Sequence, residues 1–314
     1  MDRIVDVATD GRHLSLYRGF LTVSEDRQEV GRIALDDIHA VIVHAHGTTW
    51  SANLVAALAE RGAPIVFCGP NHSPVAMTLP IDGHHAQNAR FRAQWDASKP
   101  LMKQLWRKIV SAKIVMQGSL LAARGVDGAA AFPLMAQRVK SGDSDNLEAQ
   151  AARRYWPLLM GRAFRRDRDS PGANALLNYG YAVVRATVAR AVVAAGLHPT
   201  MGINHANRGN VLALADDLVE PFRPLVDAAV VGLVEQGIAT LDTPTKQRFA
   251  RMIAFDLHIG GEASPVSIAA VRLAQSLARA FETGRPGLQL FDPPTPMQWS
   301  SIVRAGSSVE DAGA

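Results

Sequence analysis

The sequence predicts an α+β fold in two domains, a small β-rich one followed by a larger helical one. Three observations predict it. Short β-branched runs bounded by turn residues fill the first eighty positions. From about Gln87 onward the apolar residues recur at helical spacing instead. Apolar residues make up 48% of 314 positions, ample for a buried core, which excludes global disorder.

The elements follow in order. "HLSLYRGFLTV" alternates around Arg18-Gly19 and reads as a hairpin. "AVIVHAH" and "PIVFCG" read as strands, and "SANLVAALAERG" between them as a helix with Ser51 as N-cap and Gly62 as its stop. "SPVAMTLP" closes the region as another strand. Beyond "IDGHH", the run "KPLMKQLWRKIVSAKIVMQGSLLAARG" sets Leu101, Leu105, Ile109, Ile114 and Met116 near helical spacing among basic residues. "ANALLNYGYAVVRATVARAVVAAG" is nearly all apolar and predicts a helix buried at a domain centre. "PVSIAAVRLAQSLARAFETG" predicts a last amphipathic helix stopped by Gly284. The domains are thus expected at 1–85 and 86–285, with 286–314 as a flexible tail rich in Pro, Gly and Ser.

The 33 Lys and Arg exceed the 29 Asp and Glu, which permits an anionic partner without showing one. A single cysteine, Cys68, allows no disulfide framework or thiolate metal site. The first thirty residues carry Asp2, Asp6 and Asp10 and no apolar core of a signal peptide. No apolar run reaches the roughly 18 to 20 residues of a membrane span, so a cytoplasmic protein with no membrane partner is expected.

The stretch "GINHANRGNVLALADDLVEPFRPLVD" concentrates the chemistry. Asp217 and Glu220 are three apart and would share a helix face, and Asp216 competes for the same role. Like charges so placed cost about a few tenths of a kcal/mol unless a cation intervenes. An ordinary solvated helix face is the competing reading. Apolar neighbours set the acids apart from a broadly polar face, and Pro221 and Pro224 predict a kink or restart beside them. His205 lies upstream in a tight loop marked by Gly202, Asn204, Asn207 and Gly209. A mixed oxygen and nitrogen donor set without sulfur suits Mg²⁺ or Mn²⁺. Glu148, early in a helix that Asp145 or Asn146 could cap, can supply a donor from another element, or can simply complement the helix dipole. Arginines at 153, 154, 162, 165, 166 and 168 follow it, with Tyr155 and Trp156 alongside. They suit a phosphate backbone and splayed bases, or else form a solvated basic face over two core aromatics.

"EAQAARRYWPLLMG" followed by "GINHANRGNVLALADDLVEPFRPLVD" resembles the CRISPR-associated adaptation integrases, the "Cas one" family. "TDGRHLSL", "ALAERGAPIVFCGPNHSPV" and "GHHAQNARFRAQWDASKPLMKQLWRKIVSAKIVMQ" resemble its type II branch, so the likeness runs from about residue 2 to 285. The resemblance implies a β-sandwich-like N-terminal domain that makes a homodimer and a helical catalytic domain. It implies Glu148, His205 and Glu220 as catalytic metal ligands for Mg²⁺ or Mn²⁺, with Asp217 as a ligand or a group behind one. Some branches carry aspartate at the position of Glu220. The implied activity is metal-dependent DNA endonuclease and integrase chemistry in spacer acquisition. A prespacer 3′-hydroxyl would attack a phosphodiester at the leader–repeat junction. The implied partners are prespacer and repeat DNA and the small "Cas two" protein in a heterohexamer. Arg153, Arg165, Arg166, Lys103, Arg107 and Lys108 are candidate DNA contacts. A stand-alone divalent-metal nuclease of repair and a non-catalytic helical DNA-binding protein are the alternatives.

Overall fold

The computed structural model describes residues 3–69, 74–205, 207 and 209–304. Strands β1 (Arg3–Val7), β2 (His13–Tyr17), β3 (Phe20–Glu25), β4 (Gln28–Ala34), β5 (Ile38–Val43) and β6 (Thr49–Trp50) precede helix α1 (Ala52–Glu60), and β7 (Ile65–Cys68) and β8 (Pro74–Thr78) follow it. They form two four-stranded sheets, β1-β5-β7-β8 and β4-β3-β2-β6. In the first, β5 runs parallel to β1 and β7, and β8 is antiparallel to β7. The hairpin of β2 and β3 turns at Arg18 (φ 47°) and Gly19 (φ 83°), the left-handed pair that a two-residue hairpin loop requires.

β5 is buried along its whole length because both of its faces are covered. Val41 and Val43 pack with Leu14, Leu21, Leu54 and Leu58 in the core between the two sheets and α1. Ala40 and Ile42 alternate to the other face and join the core of the helical region. β7 divides in the same way, with Ile65 facing the inner core and Val66 and Cys68 facing the helices. Burial pushes the Cys68 thiol up to about 12, so it is an inert core thiol.

The rest is mostly helical: α2 (Gln87–Trp95), α3 (Lys99–Ala123), α4 (Ala131–Gln137), α5 (Leu147–Met160), α6 (Ala173–Ala194), α7 (Ala213–Leu218), α8 (Arg223–Glu235), α9 (Thr243–Arg251), α10 (Val266–Thr283) and α11 (Pro296–Arg304). A small hairpin of β9 (Asp256–Ile259) and β10 (Glu262–Pro265) interrupts them, so the C-terminal region is not all helical. Helix α6 is buried along most of its length, and packs against β5, α7, α8, α9 and α10. Helix α3 packs against α4, α5, α8 and α11. These two long helices carry the framework on which the acids are mounted. Among the described residues, no helix is long and apolar enough to cross a membrane.

Residues 286–304 depart from the expected flexible tail. Phe291, Trp299 and Ile302 are buried, and the Trp299 indole donates to Ser119 Oγ of α3 at 2.9 Å. Asp292 donates its backbone N–H to the His258 carbonyl on β9. Proline and glycine keep residues 285–295 out of regular helix, but Phe291 there, with Trp299 and Ile302 on α11, docks the segment. The remainder of the expected tail, 305–314, lies outside the described residues.

Candidate metal centre

The segment that carries the acids breaks where its prolines require. Helix α7 ends at Leu218, a 3-10 turn covers Glu220–Phe222, and α8 restarts at Arg223 with Pro224 in its first turn. The break sends the three acids in different directions. Asp216 faces Arg185, whose Nε and Nη2 reach its oxygens at 2.5 and 2.8 Å, and Asn210 Nδ2 adds a third bond at 2.7 Å. Asp216 is therefore held by α6 and does not compete for the site.

Asp217, with no exposed side-chain surface, turns to the loop before it. Its carboxylate accepts from the backbone N–H groups of Ile203, Asn204 and His205, and His205 Nδ1 donates to Oδ1 at 2.6 Å. Gly202 permits this approach, because a Cβ there would lie 2.6 Å from the His205 carbonyl oxygen and 2.8 Å from Asp217 Oδ2. Trp106 of α3 sets its ring edge-on to the imidazole, 5.8 Å between centroids. The hydrogen bond from Asp217 raises the His205 pKa against the opposing effect of partial burial. With Nδ1 committed to Asp217, Nε2 is the nitrogen left to meet a cation, and the carboxylate behind the ring fixes its orientation.

Glu220 is nearly as enclosed as Asp217. Arg223 Nε donates to its Oε1 at 2.8 Å, and its Oε2 touches the Lys113 ammonium without an aligned hydrogen bond. Burial pushes this carboxyl up, but Arg223 and Lys113 outweigh that and hold it at about 2. Arg223 lies 4.6 Å from the centre of the Tyr181 ring. The Tyr181 and Tyr155 hydroxyls both donate to the buried Asp227. Phe291 of the C-terminal segment packs its ring, tilted by 43°, against Phe222 in the turn itself, with 4.5 Å between centroids.

Glu148 arrives from α5. Asp143, rather than Asp145 or Asn146, caps that helix, accepting from the N–H groups of Leu147 at 2.9 Å and Glu148 at 3.0 Å. Its carboxylate accepts from Lys113 Nζ at 2.7 Å, so one ammonium on α3 touches both Glu148 and Glu220. Burial pulls the Lys113 pKa down, but the two carboxylates more than reverse that. Pattern reading did not single out Lys113, Arg223, Asp143 or Gly202 as site residues. Arg223 stood in the quoted motif, but a lysine among several basic residues of α3 carries no local signal of its direction.

Among the described residues, no three His, Cys, Asp or Glu side chains are grouped so as to hold an ion as they stand. The donor chemistry nevertheless fits a hard divalent cation. Two carboxylates from separate elements already share one positive charge, Glu220 Oε2 has no aligned hydrogen bond, and a histidine anchored through Nδ1 stands by.

The six candidate DNA contacts divide. Arg153, Lys103 and Arg107 are exposed. Arg107 and the half-buried Lys108 line a largely apolar cleft of about 320 Å³ between α3 and residues 290–293. Arg165 is exposed and caps the carbonyls of Arg162 and Phe164. Arg166 is tied to Asn174 at 2.9 Å and Asn178 at 2.6 Å, so it organises its own loop. Tyr155 is fully buried and serves Asp227, which removes it from any base-stacking surface.

Residues 5–251 match the family model of CRISPR associated protein Cas1. The chain belongs to the Cas1 family. A CRISPR-associated endonuclease Cas1 from Neisseria meningitidis serogroup C (strain 8013) is 39% identical over 253 residues, 80% of this chain and 83% of that protein. A casposase bound to integration product shares the fold with a TM-score of 0.78 at 19% identity, over 99% of this chain and 96% of that one. A chain of a Cas6-RT-Cas1–Cas2 complex matches with a TM-score of 0.74 at 18% identity, over 91% of this chain and 36% of that one.

Proposed function

We propose that this chain is a metal-dependent DNA integrase and endonuclease of CRISPR spacer acquisition. The observation that carries the reading is the meeting of Glu148 and Glu220, from distant elements, at one cation beside a histidine anchored by Asp217. The Neisseria relative is named an endonuclease, and the casposase of like fold was seen with an integration product.

Glu148, Glu220 and the Nε2 atom of His205 would hold Mg²⁺ or Mn²⁺, and Asp217 would position His205 rather than bind the ion itself. The ion would supply Lewis-acid polarisation of the phosphate and neutralise charge on the attacking and leaving oxygens. The chain's own part is in-line positioning of a prespacer 3′-hydroxyl against the phosphodiester at the leader–repeat junction. The new P–O bond forms as the old one breaks, and the displaced 3′-oxygen takes up the proton. The bonds exchanged are of one type, so no nucleotide cofactor is needed. The exposed Arg153, Lys103 and Arg107, with Lys108, supply charge for a duplex backbone, and the exposed Arg165 can add to it from its own loop. The active assembly is two homodimers of this chain around a central Cas2 dimer, a heterohexamer.

Strand joining tests this reading. A labelled prespacer duplex and a plasmid carrying the repeat array are incubated with the chain, with and without Cas2. Joining that needs Mg²⁺ or Mn²⁺, is stimulated by Cas2 and is lost in His205→Ala with unchanged thermal stability is the expected result. Joining retained by folded His205→Ala removes the site assignment. Cleavage without joining in either condition favours a stand-alone nuclease.

A further inference from the structure

Lys113 stands where the proposed ion is expected, and nothing in the reaction just described uses it. It is on α3, in the middle of the helix, with its side chain 12% exposed. Its ammonium touches Glu148 on one side and Glu220 on the other. A buried lysine with two carboxylates contributes little net stability, since desolvation of three charges offsets their attraction. Removing the central charge is different. It leaves two carboxylates turned toward one another, with only Arg223 to compensate Glu220. An ammonium carries one positive charge and three donors, and binds carboxylates at the distances a hydrogen bond allows. A divalent ion in the same place carries twice the charge and accepts shorter contacts from the same oxygens.

We propose that Lys113 is a built-in placeholder for the divalent cation. It holds Glu148 and Glu220 in register while no ion is bound, and its ammonium and the ion exclude one another at these two carboxylates. Lys113 is thus a positioning residue of the metal-free protein. The open side, where Glu148 and His205 keep 25% and 40% of their side-chain surface, gives the flexible side chain room to withdraw when the ion enters. The inference rests on the metal reading given above, and its consequences differ from those of that reading.

Mn²⁺ binding to the full chain, followed by the electron paramagnetic resonance signal of free Mn²⁺, tests it without any activity measurement. Wild type, Lys113→Met and Lys113→Gln are compared, each with and without His205→Ala. Thermal melting in chelator and in Mn²⁺ accompanies each titration. Lys113→Met is expected to bind Mn²⁺ about tenfold more tightly than wild type or better. It should melt lower in chelator and gain more from Mn²⁺ than wild type gains. His205→Ala should abolish the tightening. Where Lys113→Met does not fold in chelator, Lys113→Gln carries the same comparison. Mn²⁺ affinity that is unchanged or weaker in the folded lysine variants, with wild-type binding sensitive to His205→Ala, overturns the placeholder and leaves the metal site standing. Binding by none of the proteins, or binding indifferent to His205→Ala throughout, overturns both.

Discussion

The two halves of the candidate metal centre are built differently. Asp217 and Glu220, on the α7–α8 break, keep 0% and 6% of their side-chain surface, whereas Glu148 and His205 keep 25% and 40%. The sealed half is wired into the protein interior through Arg223, Tyr181, Tyr155 and Asp227. The open half rests on that interior through Lys113 for Glu148 and through Asp217 and the Trp106 ring for His205. The difference separates two tasks. Buried charges resist rearrangement because breaking one pair strands the other member. Exposed donors can admit a cation and a DNA phosphate at small structural cost.

Substitutions on the two sides therefore have different consequences. Arg223→Met attacks the sealed half hardest, leaving Glu220 buried with a partner only in Lys113. A loss of about 3–5 kcal/mol is expected in chemical denaturation. A loss under about 1 kcal/mol would show that the interior does not depend on this pair. Asp217→Asn keeps the shape but weakens the acceptor of three backbone N–H groups and the imidazole. Destabilisation of about 1.5–3 kcal/mol is expected. Metal affinity should fall by about 10- to 100-fold, measured with Mn²⁺, as for other groups behind a ligating histidine. On the open side, Glu148→Gln should abolish joining while changing denaturation by about 1 kcal/mol or less. An equal loss of stability in Glu148→Gln and Arg223→Met would erase the distinction between the halves.

In the acid limb of stability two groups pull in opposite directions. Glu220 is held at about 2, below its ordinary 4.5, so its contribution is present above pH 4.5 and is lost as pH falls toward 2. Asp227 is pushed up to about 6 by burial, against the hydrogen bonds of its two tyrosines, from an ordinary 3.8. Its contribution is present below pH 3.8 and is lost as pH rises through 6. Asp227→Asn should therefore flatten the decline in stability between about pH 4 and 6 and leave the loss below pH 4.5 in place. Denaturation midpoints taken at pH steps read both limbs, and a decline between pH 4 and 6 undiminished in the variant would place it on another group.

The strands, the long helices and the α7–α8 break were legible because each rests on local rules. Arg18-Gly19 marks a hairpin, the apolar run of α6 marks a buried helix, and Pro221 and Pro224 mark a restart. The docked C-terminal segment was not legible, since local Pro and Gly content says nothing of where Trp299 and Phe291 find partners. The β9–β10 hairpin escaped for a related reason: its strands are four residues each, and Glu-Ala-Ser-Pro in β10 gives no alternating apolar signal to pair with β9. Asp143 was passed over as a cap because its left-handed backbone, φ 50°, lets it reach Leu147 and Glu148 from farther back than usual.

By itself the sequence determined which donors exist, the order of strands and helices, and the likeness that joined Glu148 to His205 and Glu220. Tertiary structure alone decided what each acid does. Asp216, Asp217 and Glu220 are close neighbours in one chain segment, yet one pairs with Arg185, one anchors His205 and one meets Lys113. A carboxylate's role is set by which charges and N–H groups face it across the fold. Those partners come from α3, α6 and the loop before α7, at separations no local pattern encodes.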